Sequence, residues 1–215
     1  MCARLPHGRV VRKGQVGRGD AEAPPVLTIP DPHARGARVS KIRLATVWLD
    51  GCSGCHMSFL DMDEALISLA EKVDLVYSPL VDAKIFPDDV DITLVEGAVS
   101  SEEDLHKIRH IRQRTKTLVS LGDCAVTANV PSMRNPFGVK AICDRAYREN
   151  TTLDAGVPDQ VVPKLLPRAV PVHEVVTVDL FVPGCPPRAD VIFYFLSELL
   201  EGRTPELSAK TRFGA

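Results

Sequence analysis

The stretch Ala45-Thr46-Val47-Trp48-Leu49-Asp50-Gly51-Cys52-Ser53-Gly54-Cys55-His56 decides how the rest of the chain reads. An apolar run stops at a Gly-bracketed Cys-x-x-Cys, and a helical pattern follows at once. That order is strand, tight turn, helix, with two thiols on the turn. A thiol at a helix start faces free N–H groups and the positive end of the dipole, so its thiolate is favoured. Three chemistries compete for such a pair: a thioredoxin-type redox dithiol, half of a zinc site, or half of an iron–sulfur site. The turn alone favours the dithiol, with a metal close behind. Two inert buried thiols fit less well, because the glycines and the strand end expose them.

Working outward, Ile42 to Leu49 forms the first strand. Phe59, Met62, Leu66, Leu69 and Val73 then recur at three- and four-residue steps, one face of a helix. Val73–Tyr77 is a second strand and Asp91–Val95 a third, opening onto Glu96-Gly97. Ser100 and Glu103 have the spacing of a capping box. The helix that follows buries Leu105, Ile108 and Ile111. Arg112, Arg114 and Lys116 suit its negative pole. Thr117–Leu121 is a fourth strand running into Gly122-Asp123-Cys124. Residues 125–175 carry six prolines and no period, which predicts a long irregular insertion. Val176 to Val182 is a fifth strand, ending at Pro183-Gly184-Cys185-Pro186-Pro187. Pro187 suits the first position of a last helix whose Ala189, Ile192, Phe193, Leu196 and Leu199 face inward, with Gly202 as its stop.

Strands alternate with helices, and most strands are apolar on both faces. That predicts the doubly wound α/β class, a parallel sheet with helices on both faces. Residues 1–40 read differently: basic, irregular and rich in Pro and Gly, an arm suited to lie on a partner subunit. Residues 204–215 read as a short polar tail.

Bulk composition narrows the function. The chain has 215 residues, a net charge of −2 and 45% apolar residues. No strong field favours nucleic acid, and no run is long enough to span a bilayer. Six cysteines in a chain with an ample core favour cytosolic metal or redox use over disulfides.

In a doubly wound sheet, ligands sit at the carboxyl ends of the strands. Cys52 and Cys55 follow the first strand, Cys124 the fourth and Cys185 the fifth. All four are expected at one edge of the sheet. Cys2, in the arm, and Cys143, in the insertion, do not share that edge and read as incidental thiols. A dithiol needs no third and fourth cysteine there, so that reading falls back. Structural zinc usually takes two paired knuckles, whereas an iron–sulfur cubane accepts one pair and two singletons. Spacing therefore favours iron–sulfur over zinc. Nearby glycines leave backbone N–H groups free to approach the sulfurs. No nucleophile elbow or phosphate-binding loop competes. His56 is either a donor to sulfur or partner, or a solvated helix-start residue. Asp61, Asp63 and Glu64 read as helix-start acids, Arg188 as a surface charge, and Trp48 as a core residue that shields the site.

Together, Trp48-Leu49-Asp50-Gly51-Cys52-Ser53-Gly54-Cys55, Val95-Glu96-Gly97-Ala98-Val99, Gly122-Asp123-Cys124 and Pro183-Gly184-Cys185-Pro186-Pro187 resemble the small subunit of nickel–iron hydrogenases. The resemblance covers residues 41 to about 203. It implies a flavodoxin-like domain holding a proximal [4Fe–4S] cluster on Cys52, Cys55, Cys124 and Cys185. Periplasmic members add a twin-arginine signal and a second cluster-bearing domain; neither pattern is seen here. The Cys-Ser-Gly-Cys-His-Met-Ser-Phe-Leu-Asp run is most similar to the cytoplasmic, bidirectional NAD-reducing branch. The complex I relative has adjacent cysteines at the first position, where this chain has them two apart. That makes a quinone-linked subunit the second reading and a zinc-stabilised interaction module the third. The resemblance implies as partners a large subunit with the Ni–Fe site, and diaphorase subunits carrying further Fe–S clusters, FMN and NAD. The flavodoxin-like core leaves room for FMN here too, but nothing in the sequence demands it.

Overall fold

The computed structural model describes residues 41–153 and 155–211. The expected basic arm, with Cys2, lies outside the described residues. Five parallel strands form the main sheet: β1 (Ile42–Trp48), β2 (Val73–Tyr77), β3 (Val90–Glu96), β5 (Thr115–Leu121) and β7 (Leu180–Val182). Their spatial order is β2-β1-β3-β5-β7. Counted within the sheet this is 2-1-3-4-5, the flavodoxin-like order, with its switch point between β1 and β3.

The central strands are buried on both faces, which explains their near-continuous apolar runs. On one face Leu44, Ile92, Leu94, Val119 and Val182 meet α1 (Gly54–Leu60), α2 (Ala65–Lys72) and α6 (Ala189–Leu200) through Phe59, Leu69, Phe195 and Leu196. On the other, Ala45, Val47, Val95 and Leu118 meet α3 (Glu102–Arg112) and α4 (Asp123–Thr127) through Ile108, Ile111 and Ala125. The doubly wound reading of the sequence therefore holds.

Register puts the strand ends level. Trp48 pairs with Glu96, Glu96 with Leu121, and Leu121 with Val182. The cysteine-bearing loops all leave the sheet from this one row.

Several local expectations need correction. The first helix is two helices, because Asp63 takes a left-handed conformation (φ 48°) between them. Short acidic side chains bond to nearby backbone and tolerate that region. Asp61, Asp63 and Glu64 thus mark the break rather than one helix start. The capping box is Ser101 with Asp104, one residue later than Ser100 with Glu103: Ser101 Oγ accepts from Asp104 N–H, and Asp104 accepts from Ser101 N–H. The fifth strand begins at Leu180, not Val176. Just before it, the Asp179 carboxylate accepts the Leu118 N–H at 2.7 Å, where a backbone carbonyl would act in a ladder. The last helix starts at Ala189 with Arg188 as N-cap, so Pro187 lies just outside it.

The 125–175 stretch is also more regular than its prolines suggest. It contains most of α4, a 3-10 turn at Pro131–Arg134, α5 (Gly138–Asp144) and β6 (Leu165–Val170). β6 pairs antiparallel with β4 (Val99–Ser101), and Asn135 holds β6 through bonds to both N–H and C=O of Ala169. These ties are long-range and leave no local periodic signal.

Among the described residues Phe195 is the largest fully buried side chain, and it joins α6 to the sheet. Phe195→Ala is expected to cost about 3–5 kcal/mol, read as a lowered denaturant midpoint without a change in the slope of the transition.

Candidate metal centre at the sheet edge

The structure places Cys52, Cys55, Cys124 and Cys185 after strands at one edge of the sheet, and Cys143 in α5 of the 125–175 stretch. Cys52 and Cys55 occupy the turn between β1 and the first turn of α1. Cys124 lies in the first turn of α4, directly after β5, and Cys185 in the loop after β7. Burial raises the Cys55 thiol far above its ordinary range, helped by the negative charge of Glu96 and then by Cys124, Cys52 and Cys185. Cys124 is raised too, by burial first and then by Cys185, Cys52 and Glu96, against the lowering effect of the Val130 N–H. Cys55 and Cys124 thus lie within electrostatic reach of each other and of Cys52 and Cys185.

This reverses one expectation. A helix start was expected to favour the Cys55 thiolate. In the folded protein burial and neighbouring negative groups outweigh the short α1 dipole, and the neutral thiol is favoured. A bound cation changes that balance, since metal coordination deprotonates thiols outright.

Two glycines make the close approach feasible. Gly122 has φ +81°, and a Cβ there would lie 2.2 Å from Cys55 Sγ. Gly97, at φ +88°, packs so closely on the β1 end that a Cβ would meet the Leu49 carbonyl carbon at 2.8 Å. The loops are then tied together. Gly122 N–H donates to Val182 O, Asp123 N–H to Gly184 O, and Gly184 N–H to Asp123 Oδ1 at 2.7 Å. Ser58 of α1 donates to the Pro187 carbonyl, closing the third side.

Donors face the sulfurs. Gly54 N–H lies 3.4 Å from Cys52 Sγ, and Asn129 Nδ2 lies 3.6 Å from Cys185 Sγ. Val130 N–H serves Cys124. Sequence reading expected backbone donors beside glycines; it did not find Asn129 or Val130, which lie in the supposedly irregular stretch.

His56 is neither solvated nor a sulfur donor. It is 3% exposed. Its backbone N–H donates to Glu96 Oε2 at 2.7 Å, and its ring Nδ1 lies 2.7 Å from the same oxygen. A carboxylate can only accept, so Nδ1 carries a proton. Nε2 lies 3.0 Å from Thr46 Oγ1, which in turn bonds Ser78 Oγ at 2.7 Å. Glu96 was quoted in a motif but given no task; a charged residue closing an apolar strand was the available signal. Trp48 is 43% exposed rather than core. Its ring folds along the rim, with Nε1 donating to Gly51 O and Lys107 Nζ donating to Trp48 O. Arg188 is exposed and pairs with Asp190, as a surface charge should.

Cys52 and Cys185 are exposed while Cys55 is sheltered. Beside Cys185 opens a cleft of about 850 Å³, lined by Ser58, Asp61, Met62, Arg188 and Phe193 among others. Among the described residues, no three His, Cys, Asp or Glu side chains converge on a place for a single metal ion. No helix there is long and apolar enough to cross a membrane.

The fold is doubly wound α/β, with Cys52, Cys55, Cys124 and Cys185 placed after the strand ends of one sheet edge. The chain matches the family model described as NADH ubiquinone oxidoreductase, 20 kDa subunit, over residues 52–199, and belongs to that family. It is 41% identical over 95% of its length to the NAD-reducing hydrogenase HoxS subunit delta of Cupriavidus necator, covering 96% of that protein. It is 30% identical to the sulfhydrogenase 2 subunit delta of Pyrococcus furiosus, over 76% of this chain and 64% of that one. Among solved structures it resembles a chain of an NAD⁺-reducing [NiFe]-hydrogenase in the H2-reduced state, with TM-score 0.77 and 42% identity over 81% of this chain and 99% of that one. A [NiFeSe]-hydrogenase chain of Desulfomicrobium baculatum shares the fold at TM-score 0.51 and 18% identity.

Two outcomes test this geometry. Gly122→Ala, which puts a methyl onto Cys55 Sγ, is expected to reduce bound iron to a minor fraction of wild type, measured on the purified protein. In the metal-free chain, the raised Cys55 thiol makes the folded state hold a proton that the unfolded state releases above about pH 9. Stability of the metal-free form is therefore complete below that pH and falls above it, a trend to be followed by thermal unfolding.

Proposed function

We propose that this chain is the electron-transfer small subunit of a cytoplasmic NAD-reducing [NiFe]-hydrogenase, with Cys52, Cys55, Cys124 and Cys185 holding one [4Fe–4S] cluster. What supports the reading is the placement of four thiols from three separate loops at one sheet edge, in a chain akin to an NAD-reducing hydrogenase subunit over nearly its whole length. The donor set fits the group. It offers four thiols, a gap at Gly122 that admits the innermost sulfur, and N–H donors on three of the four.

Such a cluster, when bound, supplies one-electron storage at a potential set by charge, hydrogen bonding and burial. The chain's own residues do the tuning. The amides of Gly54 and Val130 and the side chain of Asn129 offset negative charge on sulfur, which favours the reduced form. Glu96 acts in the opposite sense. Exposed Cys52 and Cys185 face outward, and that rim is where a large subunit with the Ni–Fe site and diaphorase subunits with further Fe–S clusters, FMN and NAD would dock. Burying the rim removes water and shortens the path between electron carriers.

A second reading has one observation in its favour: the family model takes its description from a quinone-linked subunit. Hydrogen-dependent NAD⁺ reduction by the purified complex separates the two. That activity supports the hydrogenase reading, and quinone reduction without it supports the other. Zinc with no reducible signal would instead favour an interaction module. Cys124→Ser is expected to abolish or alter the low-temperature EPR signal of the reduced cluster, whereas Cys143→Ser leaves it unchanged.

A further inference from the structure

Glu96 is a buried acid whose neighbours are not those of an ordinary structural carboxylate. It is 2% exposed, at the end of β3, level with Trp48 and Leu121 in the sheet. One oxygen, Oε2, receives both the backbone N–H and the ring Nδ1 of His56, each at 2.7 Å. Residue 56 directly follows Cys55, so both bonds act on the peptide that carries the innermost thiol. The other oxygen, Oε1, faces the Gly51 backbone beside the turn, close to where a Cβ would stand. The strand holding Glu96 is central and rigid, and the glycine after it lets β1's exit loop pack directly on it. The His56 ring is braced from behind by Thr46 and Ser78. The Cys-x-x-Cys turn therefore hangs from a fixed point in the sheet, not from its own short helix.

Resting on the cluster reading above, we propose that Glu96 is a positioning residue for the metal centre. Through His56 it fixes Cys55 in the gap at Gly122, and its carboxylate, offset by the His56 ring donor, biases the cluster toward the oxidised form. A negative group near a redox centre disfavours adding an electron, and in a site shielded from water that effect is little screened.

The test is a redox titration of the assembled complex followed by EPR, with iron analysis on each variant. Glu96→Gln keeps the shape and removes the charge. It is expected to retain wild-type iron and to raise the reduced-to-oxidised ratio at a fixed ambient potential roughly tenfold, a shift of about 59 mV upward for one electron. His56→Leu removes the ring donor without supplying another and leaves the carboxylate less compensated, so its potential is expected to move downward. Opposite signs in the two variants are what a merely structural role would not produce. Should one variant fail to assemble, the other carries the same measurement. Wild-type iron with an unmoved potential in either variant, or a shift of the same sign in both, overturns the proposal. Absence of a cluster in the wild-type complex would instead overturn the reading on which it rests.

Discussion

The centre depends on one close approach: the sulfur of Cys55 occupies the place where any residue but glycine at 122 would carry its Cβ. A parallel sheet delivers its loops to a single edge, but it does not bring them into contact. Contact requires backbone to pass close to side chain, and here Gly122 and Gly97 provide it. Asp123 then converts proximity into a fixed arrangement by exchanging bonds in both directions with Gly184. Three loops that share no sequence neighbourhood become one rigid wall.

Ionising the thiols on that wall is unfavourable without a bound cation. Sheltered thiols beside Glu96 resist ionisation, and each would-be thiolate opposes the others. A bound cation would shift that balance by favouring the deprotonated sulfurs. Donors placed by Gly54, Val130 and Asn129 grade the charge around the rim. Cys52 and Cys185 are exposed, whereas Cys55 and Cys124 are half-buried.

The sequence disclosed the sheet and the four thiols for a physical reason. Short continuous apolar runs and helical runs of period 3.6 are local signals, and the edge on which loops emerge follows from them. It did not disclose what acts across distance. His56 pairs with Glu96 forty positions away, and nothing near either residue announces the bond. Asn129 reaches Cys185 from a segment whose prolines masked short helices. Adjacent serines at 100 and 101 made the capping box ambiguous until Asp104 selected one. Trp48 carried an apolar label but stands at a strand end, where the sheet no longer covers both faces.

The bond from Ser58 to Pro187 joins positions 129 residues apart. Contacts so remote in the chain form slowly, because the intervening loop must close before it is rewarded. The pocket is consequently absent from a nascent polypeptide until β7, an edge strand of three residues, takes its place. Until then the cysteines are a scattered set of reactive groups, open to oxidants and stray metals. Completion of the last strand is thus the moment at which Cys185 joins the other three cysteines at one edge.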